Sequence, residues 1–198
     1  MKNLFAILMF MSSLVSVAQI KGVTVEEIDN KGEVPGRTFR IYLECTSEWD
    51  YVTSIFAFKE NDMYWRSTKP FFQSAYGGPL SSNIIRATLM EKKDLKYDSW
   101  FTIGYVDNYN NAVSAFNLEF EDFENGKEVA TNDGAWFATP DKPQTKAGPS
   151  KRILIAQLTS EGIITGKFSV LGRTVTNYEK SEWDNWEEHD LTFTAGEK

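Results

Sequence analysis

The chain has 198 residues, with 21 basic and 28 acidic side chains, a net charge of −7, one histidine and one cysteine. That balance excludes the basic footprint on which nucleic-acid or anionic-membrane binding depends. A single cysteine excludes an intrachain disulfide, and one histidine with one cysteine is too few for a usual zinc site.

Taken in order, Met1-Lys2-Asn3 gives a basic start, residues 4–11 are an apolar run, and Ser16-Val17-Ala18 supplies a small-residue cleavage pattern before Gln19. This predicts a secretory signal peptide over residues 1–18, too short and wrongly flanked for a membrane span. No cysteine follows the run to carry a lipid, and no later stretch has the length and apolarity of a bilayer span. The expected product is an exported, extracellular domain over residues 19–198, large enough for a sizeable core.

Residues 19–30 read as a leading strand and residues 31–36 as a turn. Residues 38–46 alternate with Phe39, Ile41, Leu43 and Cys45 on one face and Arg40, Tyr42 and Glu44 on the other. That period of two marks a strand with one buried face, with Cys45 expected as a buried, unreactive thiol. Residues 51–58 repeat the pattern, the Lys59-Glu60-Asn61-Asp62 stretch reads as a turn, and residues 63–66 as another short strand. Residues 69–83 form a breaker-rich loop with three aromatics, and residues 84–92 one or two helical turns of marginal isolated stability. Residues 97–106 return to strand and end in the polar turn Asp107-Asn108-Tyr109-Asn110-Asn111.

Residues 113–123 read as a long strand folded back by an Asn125-Gly126 hairpin signal. In residues 131–144, Asn132-Asp133-Gly134 predicts a positive-φ turn, Trp136 and Phe137 anchor a core, and Pro140-Asp141-Lys142-Pro143 stops the sheet. Residues 152–159 are apolar on both faces, as a central, doubly covered strand requires. Residues 163–171 and 191–194 supply the last strands. Short strands at turn-bounded intervals with almost no helix predict an all-β fold: one two-sheet antiparallel β-sandwich, jelly-roll-like.

Several blocks occur in a fixed order: Phe39-Arg40-Ile41-Tyr42, Phe72-Gln73-Ser74 to Gly77-Gly78-Pro79, and Tyr97-Asp98-Ser99-Trp100-Phe101-Thr102-Ile103-Gly104. They are followed by residues 131–144, Ala147-Gly148 and residues 153–159. Together they resemble a family of functionally uncharacterised all-β domains in secreted bacterial proteins, the blocks around Trp100 and Trp136 being the most specific. The resemblance covers residues 38–194 and implies fold and compartment, with no activity to transfer.

Catalytic chemistry finds few residues. His189 lies in an acidic run read as an exposed tail, and no Gly-x-Ser-x-Gly elbow is present. A glycosidase-type carboxylate pair would draw on Asp98, Asp133 and Asp141, residue types equally suited to holding turns. Calcium is the metal that suits the oxygen-rich loops, through Asp107, Asn108, Asn110, Asp133 and Asp141, although none matches an EF-hand loop. Aromatics offered to solvent suit sugar stacking, and the pool is Tyr64, Trp65, Tyr76, Tyr109, Trp183 and Trp186; Trp100 and Trp136 are assigned to packing. The expected function is a non-catalytic extracellular binding or adhesion module for a glycan or a surface or matrix protein. The alternatives are a secreted carbohydrate-active hydrolase and a structural component of an extracellular assembly.

Overall fold

The computed structural model describes residues 19–197; the leader expected over residues 1–18 lies outside the described residues. Alternation in the sequence turns directly into two antiparallel sheets. The first contains β1 (Ile20–Ile28), β2 (Arg37–Cys45), β4 (Trp100–Phe101) and β7 (Arg152–Ser160), in the order β1-β2-β7-β4. The second contains β3 (Asp50–Ser67), β5 (Ser114–Phe116), β6 (Val129–Phe137), β8 (Ile164–Asn177) and β9 (Glu182–Ala195), in the order β5-β6-β3-β8-β9. The two inner faces share one apolar core, as a sandwich of half-buried sheets requires. Helix is confined to short pieces, α1 (Arg86–Glu91) and α2 (Glu121–Glu124), and three single 3-10 turns.

In β2, Phe39, Ile41, Leu43 and Cys45 face the core, and Arg40, Tyr42 and Glu44 are half-buried outside. Burial pushes the Cys45 thiol up to about 12, with Asp50 and Glu44 adding to the effect, so it stays protonated at neutral pH. Strand β7 is covered twice. Ile153, Ile155 and Leu158 enter the main core, while Leu154 packs outside with Ile84 and Leu95 of the long β3–β4 connection and with Trp100 of β4. Polar side chains pin that covering loop. Gln157 Nε2 donates to the Lys96 and Asp98 carbonyls at 2.9 and 3.0 Å, and Thr159 Oγ1 donates to the Tyr97 carbonyl at 2.6 Å.

The core centres on Trp65. Its ring lies 4.9 to 5.4 Å, centroid to centroid, from Phe168, Phe193, Phe101 and Trp136. Phe101 belongs to the first sheet and the other three to the second, so the cluster joins the layers. Trp136 Nε1 donates to the Thr102 carbonyl at 2.9 Å, tying β6 to the segment after β4.

Five sequence expectations are corrected. Residues 59–62 are no turn between two strands; they bulge within the continuous β3, with Lys59 at φ 55° and pairing resumed at Met63. Asn132-Asp133-Gly134 makes no positive-φ turn, because β6 runs straight through it, with Asp133 paired to Phe58 and Gly134 to Ala57. The glycine is needed for space: a Cβ on Gly134 would lie 2.6 Å from the Asn117 carbonyl oxygen and 2.9 Å from Leu118 Cδ2. The long strand expected over residues 113–123 shrinks to β5, since Asn117 enters the left-handed region and α2 follows, with Phe123 buried against Phe71 and Phe101. Asn125-Gly126 ends that helical turn and forms no hairpin; the Gly126 carbonyl accepts the Phe71 N–H at 2.9 Å. Finally, residues 182–190 are no tail. They pair with β8 as the first part of β9, and their charges fit an edge strand that resists further pairing.

Trp65 is fully buried, and its truncation opens a cavity among four rings. Trp65→Ala is expected to destabilise the domain by about 3–5 kcal/mol in urea unfolding. A loss below about 1 kcal/mol would mean that the core closes over the site.

Candidate functional site

Pairing directly across the second sheet sets its outer face. Tyr51 of β3 stands beside Arg173 of β8 and Asn185 of β9, and one step along Val175 stands beside Trp183. Cross-strand partners share a face, so Tyr51, Arg173, Asn185, Val175 and Trp183 form one outward strip. The loop after β6 rises beside it and supplies Pro140, Asp141, Lys142, Pro143 and Lys146. Together with Tyr178 and Ser181 of the β8–β9 turn they enclose an open cleft of about 530 Å³. A second hollow of about 440 Å³ continues past Arg173 and is lined by Thr53, Leu171, Gly172, Asn185 and Glu187.

Arg173 is the divider and the fixed point. Its guanidinium carbon lies 3.8 Å from the Trp183 ring centroid and 5.4 Å from that of Tyr51, and its Nη2 donates to the Pro140 carbonyl at 3.0 Å. A planar cation held against two rings and one carbonyl loses little further freedom on binding. Nearby, Lys146 Nζ lies 3.7 Å from the Trp49 ring centroid, and Trp49 packs against Tyr178 with centroids 5.8 Å apart. The cleft is therefore aromatic and cationic on an otherwise acidic chain. Asp141 is held below the usual carboxylate range by the Thr139 hydroxyl and Lys142, with Lys142 Nζ 3.3 Å away.

The two tryptophans named together in the sequence separate here. Trp183 faces the cleft and is 45% exposed, while Trp186, three residues on, turns to the opposite side of β9. There it packs at the core margin beside Gly172, with Nε1 donating to Thr174 Oγ1 at 3.1 Å. A Cβ on Gly172 would lie 2.2 Å from the Trp186 ring and 2.5 Å from the Tyr51 carbonyl oxygen, so this glycine seats both. Trp65 offers no face to any ligand, being the centre of the core.

The other aromatics stand apart. Tyr109 lines a separate hollow with Arg86 and Asp107, and Tyr64 and Tyr76 line neither. Each of the three carries a local cation near its ring: Arg86 on Tyr109, Arg66 on Tyr64 and Lys92 on Tyr76, at 4.2 to 4.4 Å. The residues missed in the sequence, Tyr51, Arg173 and Lys146, carry little local signal. Tyr51 opens a stretch read only as an alternating strand, and Arg173 falls beyond the predicted end of β8.

The candidate carboxylates do not assemble. Asp98 is fully buried and accepts the Ser74 N–H at 2.7 Å and the Gly78 N–H at 3.3 Å, holding the loop after β3. Asp133 sits exposed on β6, where its carbonyl accepts from Asn117 Nδ2, and of the three carboxylates Asp141 alone lines the cleft. His189 lies in β9, not a tail, with Nδ1 3.3 Å from Ser169 Oγ and its ring edge-on to Phe56. The calcium reading loses its ligands in the same way. Asp107 spends one oxygen on Arg86 Nε at 2.8 Å and the other on the Tyr109 N–H at 2.9 Å, and Asn108 Oδ1 accepts the Arg86 N–H. Asn110 takes the left-handed conformation of the same turn. Among the described residues, no three His, Cys, Asp or Glu side chains converge as metal ligands.

Comparisons with protein-family models, curated proteins and solved structures give no match. The resemblance of the blocks around Trp100 and Trp136 therefore stands on those residues alone.

Burial raises Asp98 to about 7, outweighing its hydrogen bonds from Ser74 and Gly78, with Glu124 adding to the rise. The folded state then keeps a proton that the unfolded chain releases at about pH 4. The associated stability is present at low pH and is lost as pH rises through about 7. Relative to Asp98→Asn, the wild type is expected to lose urea stability across this window, with a slope of up to about 1.4 kcal/mol per pH unit. A difference that does not change with pH would show that the backbone donors keep Asp98 ionised.

Proposed function

We propose that this chain is a non-catalytic binding module that takes up a glycan on the outer face of its second sheet. The observation that carries this reading is the strip of Tyr51, Arg173 and Trp183 beside the wall of residues 140–146. One ring face of Trp183 is braced by Arg173, and the side chain keeps enough exposure to stack on the C–H face of a pyranose. Asn185 and Glu187 in the adjoining hollow supply hydroxyl partners, in the pattern of a mostly apolar site with a few placed polar groups. Export through the predicted leader belongs to the same proposal, since polysaccharide is an extracellular ligand. Catalysis finds no support in the cleft: of the three carboxylates considered for a hydrolytic pair, Asp98 is committed to backbone N–H groups and Asp133 lies elsewhere.

The test is affinity electrophoresis of residues 19–198 through gels containing individual soluble polysaccharides. The wild type is expected to be retarded by at least one. Trp183→Ala should abolish the retardation while shifting the melting temperature little, because its ring is 45% exposed and lies outside the core. Trp186→Ala should lower the melting temperature through lost packing, at about 2–4 kcal/mol. Migration unaffected by every polysaccharide, or retardation that survives Trp183→Ala, overturns this site.

A further inference from the structure

We infer that the sugar recognised in this cleft carries an anionic group, a carboxylate or a sulfate ester, received by Arg173 and Lys146. This deepens the glycan reading and rests on it. Neither cation makes an ion pair among the described residues. By contrast Lys142, in the same wall, is already neutralised by Asp141. Arg173 has five N–H donors, and among the described residues it spends one hydrogen bond, on the Pro140 carbonyl. Its Nε is buried without a partner among those residues, and the terminal edge of a guanidinium matches two oxygens of a carboxylate or sulfate. Stacking on Trp183 and Tyr51 fixes its plane in advance, so little ordering is left to do when an anion arrives.

A neutral sugar leaves the positive charge of that arrangement unmatched. Sugar hydroxyls both donate and accept, whereas a fixed guanidinium and an ammonium lining one cleft supply donors and positive charge and no acceptor. Lys146 is held over Trp49, and it lines the same cleft as Arg173 and the exposed ring of Trp183. A pyranose lying on that ring brings an equatorial substituent towards one or the other. Pairing with an exposed to half-buried anion of this kind commonly contributes severalfold to affinity, and a bidentate pair more.

The test is calorimetric titration of residues 19–198 with three oligosaccharides of equal length: a neutral one, its uronic-acid counterpart and its sulfated counterpart. At least one anionic ligand is expected to bind about 10-fold tighter than the neutral one, and the arm that gains identifies carboxylate or sulfate. In Lys146→Gln the ratio of anionic to neutral affinity should fall severalfold with the melting temperature unchanged. Arg173→Gln should lower it further, and Arg173→Lys should not restore it, because an ammonium cannot reproduce the stacked fork. Equal or weaker binding of both anionic ligands, or a ratio unmoved in Lys146→Gln and Arg173→Gln, overturns the inference while leaving a neutral glycan site. Binding of none of the three overturns the glycan reading itself.

Discussion

The packing of Trp65 is the constraint on which the other features rest. An indole at the centre of a sandwich must be met by side chains from both layers, and the available partners are themselves rings. Phe168 stacks on it at an interplanar angle of 18°, while Phe101 and Trp136 meet it edge-on at 75° and 62°. Such geometry suits the ring quadrupole and contributes beyond area burial. It also fixes the register of β3 against β6 and β8, since a one-residue slip would send Trp65 to the opposite face. The bulge at residues 59–62 matters here. It lets β3 run on past Phe58 and still return Met63 and Trp65 to the core side.

That register places the cleft. With β3 fixed, Tyr51 falls opposite Arg173, and with β8 fixed, Trp183 falls opposite Val175. The site is thus held by ladder hydrogen bonds on a rigid sheet, with one movable wall, the loop after β6. Even this wall is tied down. Arg173 holds the Pro140 carbonyl, and the Ala138 N–H donates to the Thr53 carbonyl at 3.0 Å. A cleft built this way changes little on occupation, which lowers the ordering cost of binding.

Much of the architecture was legible because its signals were local. The alternation of residues 38–46 and the two-sided apolarity of residues 152–159 specify β2 and β7 without knowledge of their neighbours. What failed was whatever depends on a distant partner. Asn132-Asp133-Gly134 has the composition of a turn, yet the Asn117 carbonyl and the Leu118 side chain crowd Gly134 and the segment is needed as a strand. The acidic stretch from Trp183 to Asp190 has the composition of a solvated tail, yet β8 offers it an edge to pair with. Composition read both as unstructured because it counts residues and cannot see the hydrogen-bonding partner. The cleft was illegible for the same reason: Tyr51, Arg173 and Lys146 are far apart in sequence and meet only through pairing and loop closure. Only Trp183 carried a signal of its own, a large ring among charges.

An acidic domain with a cationic cleft poses a question of scale. The net charge of −7 is spread over the whole surface and acts on a ligand at long range. Arg173 and Lys146 act at contact distance. Mobile ions separate the two effects. At physiological ionic strength the screening length is about 8 Å, so repulsion from carboxylates on remote faces is largely removed while a pair at hydrogen-bond distance is not. Both cations also lie against aromatic rings, which exclude water from one side and strengthen a short-range pair relative to one in bulk solvent. The surface charge then bears on solubility and on how fast an anionic chain approaches, and the cleft on whether it stays. Negative overall charge and local selectivity for an anion are therefore compatible, provided the charges that matter are few, fixed and close.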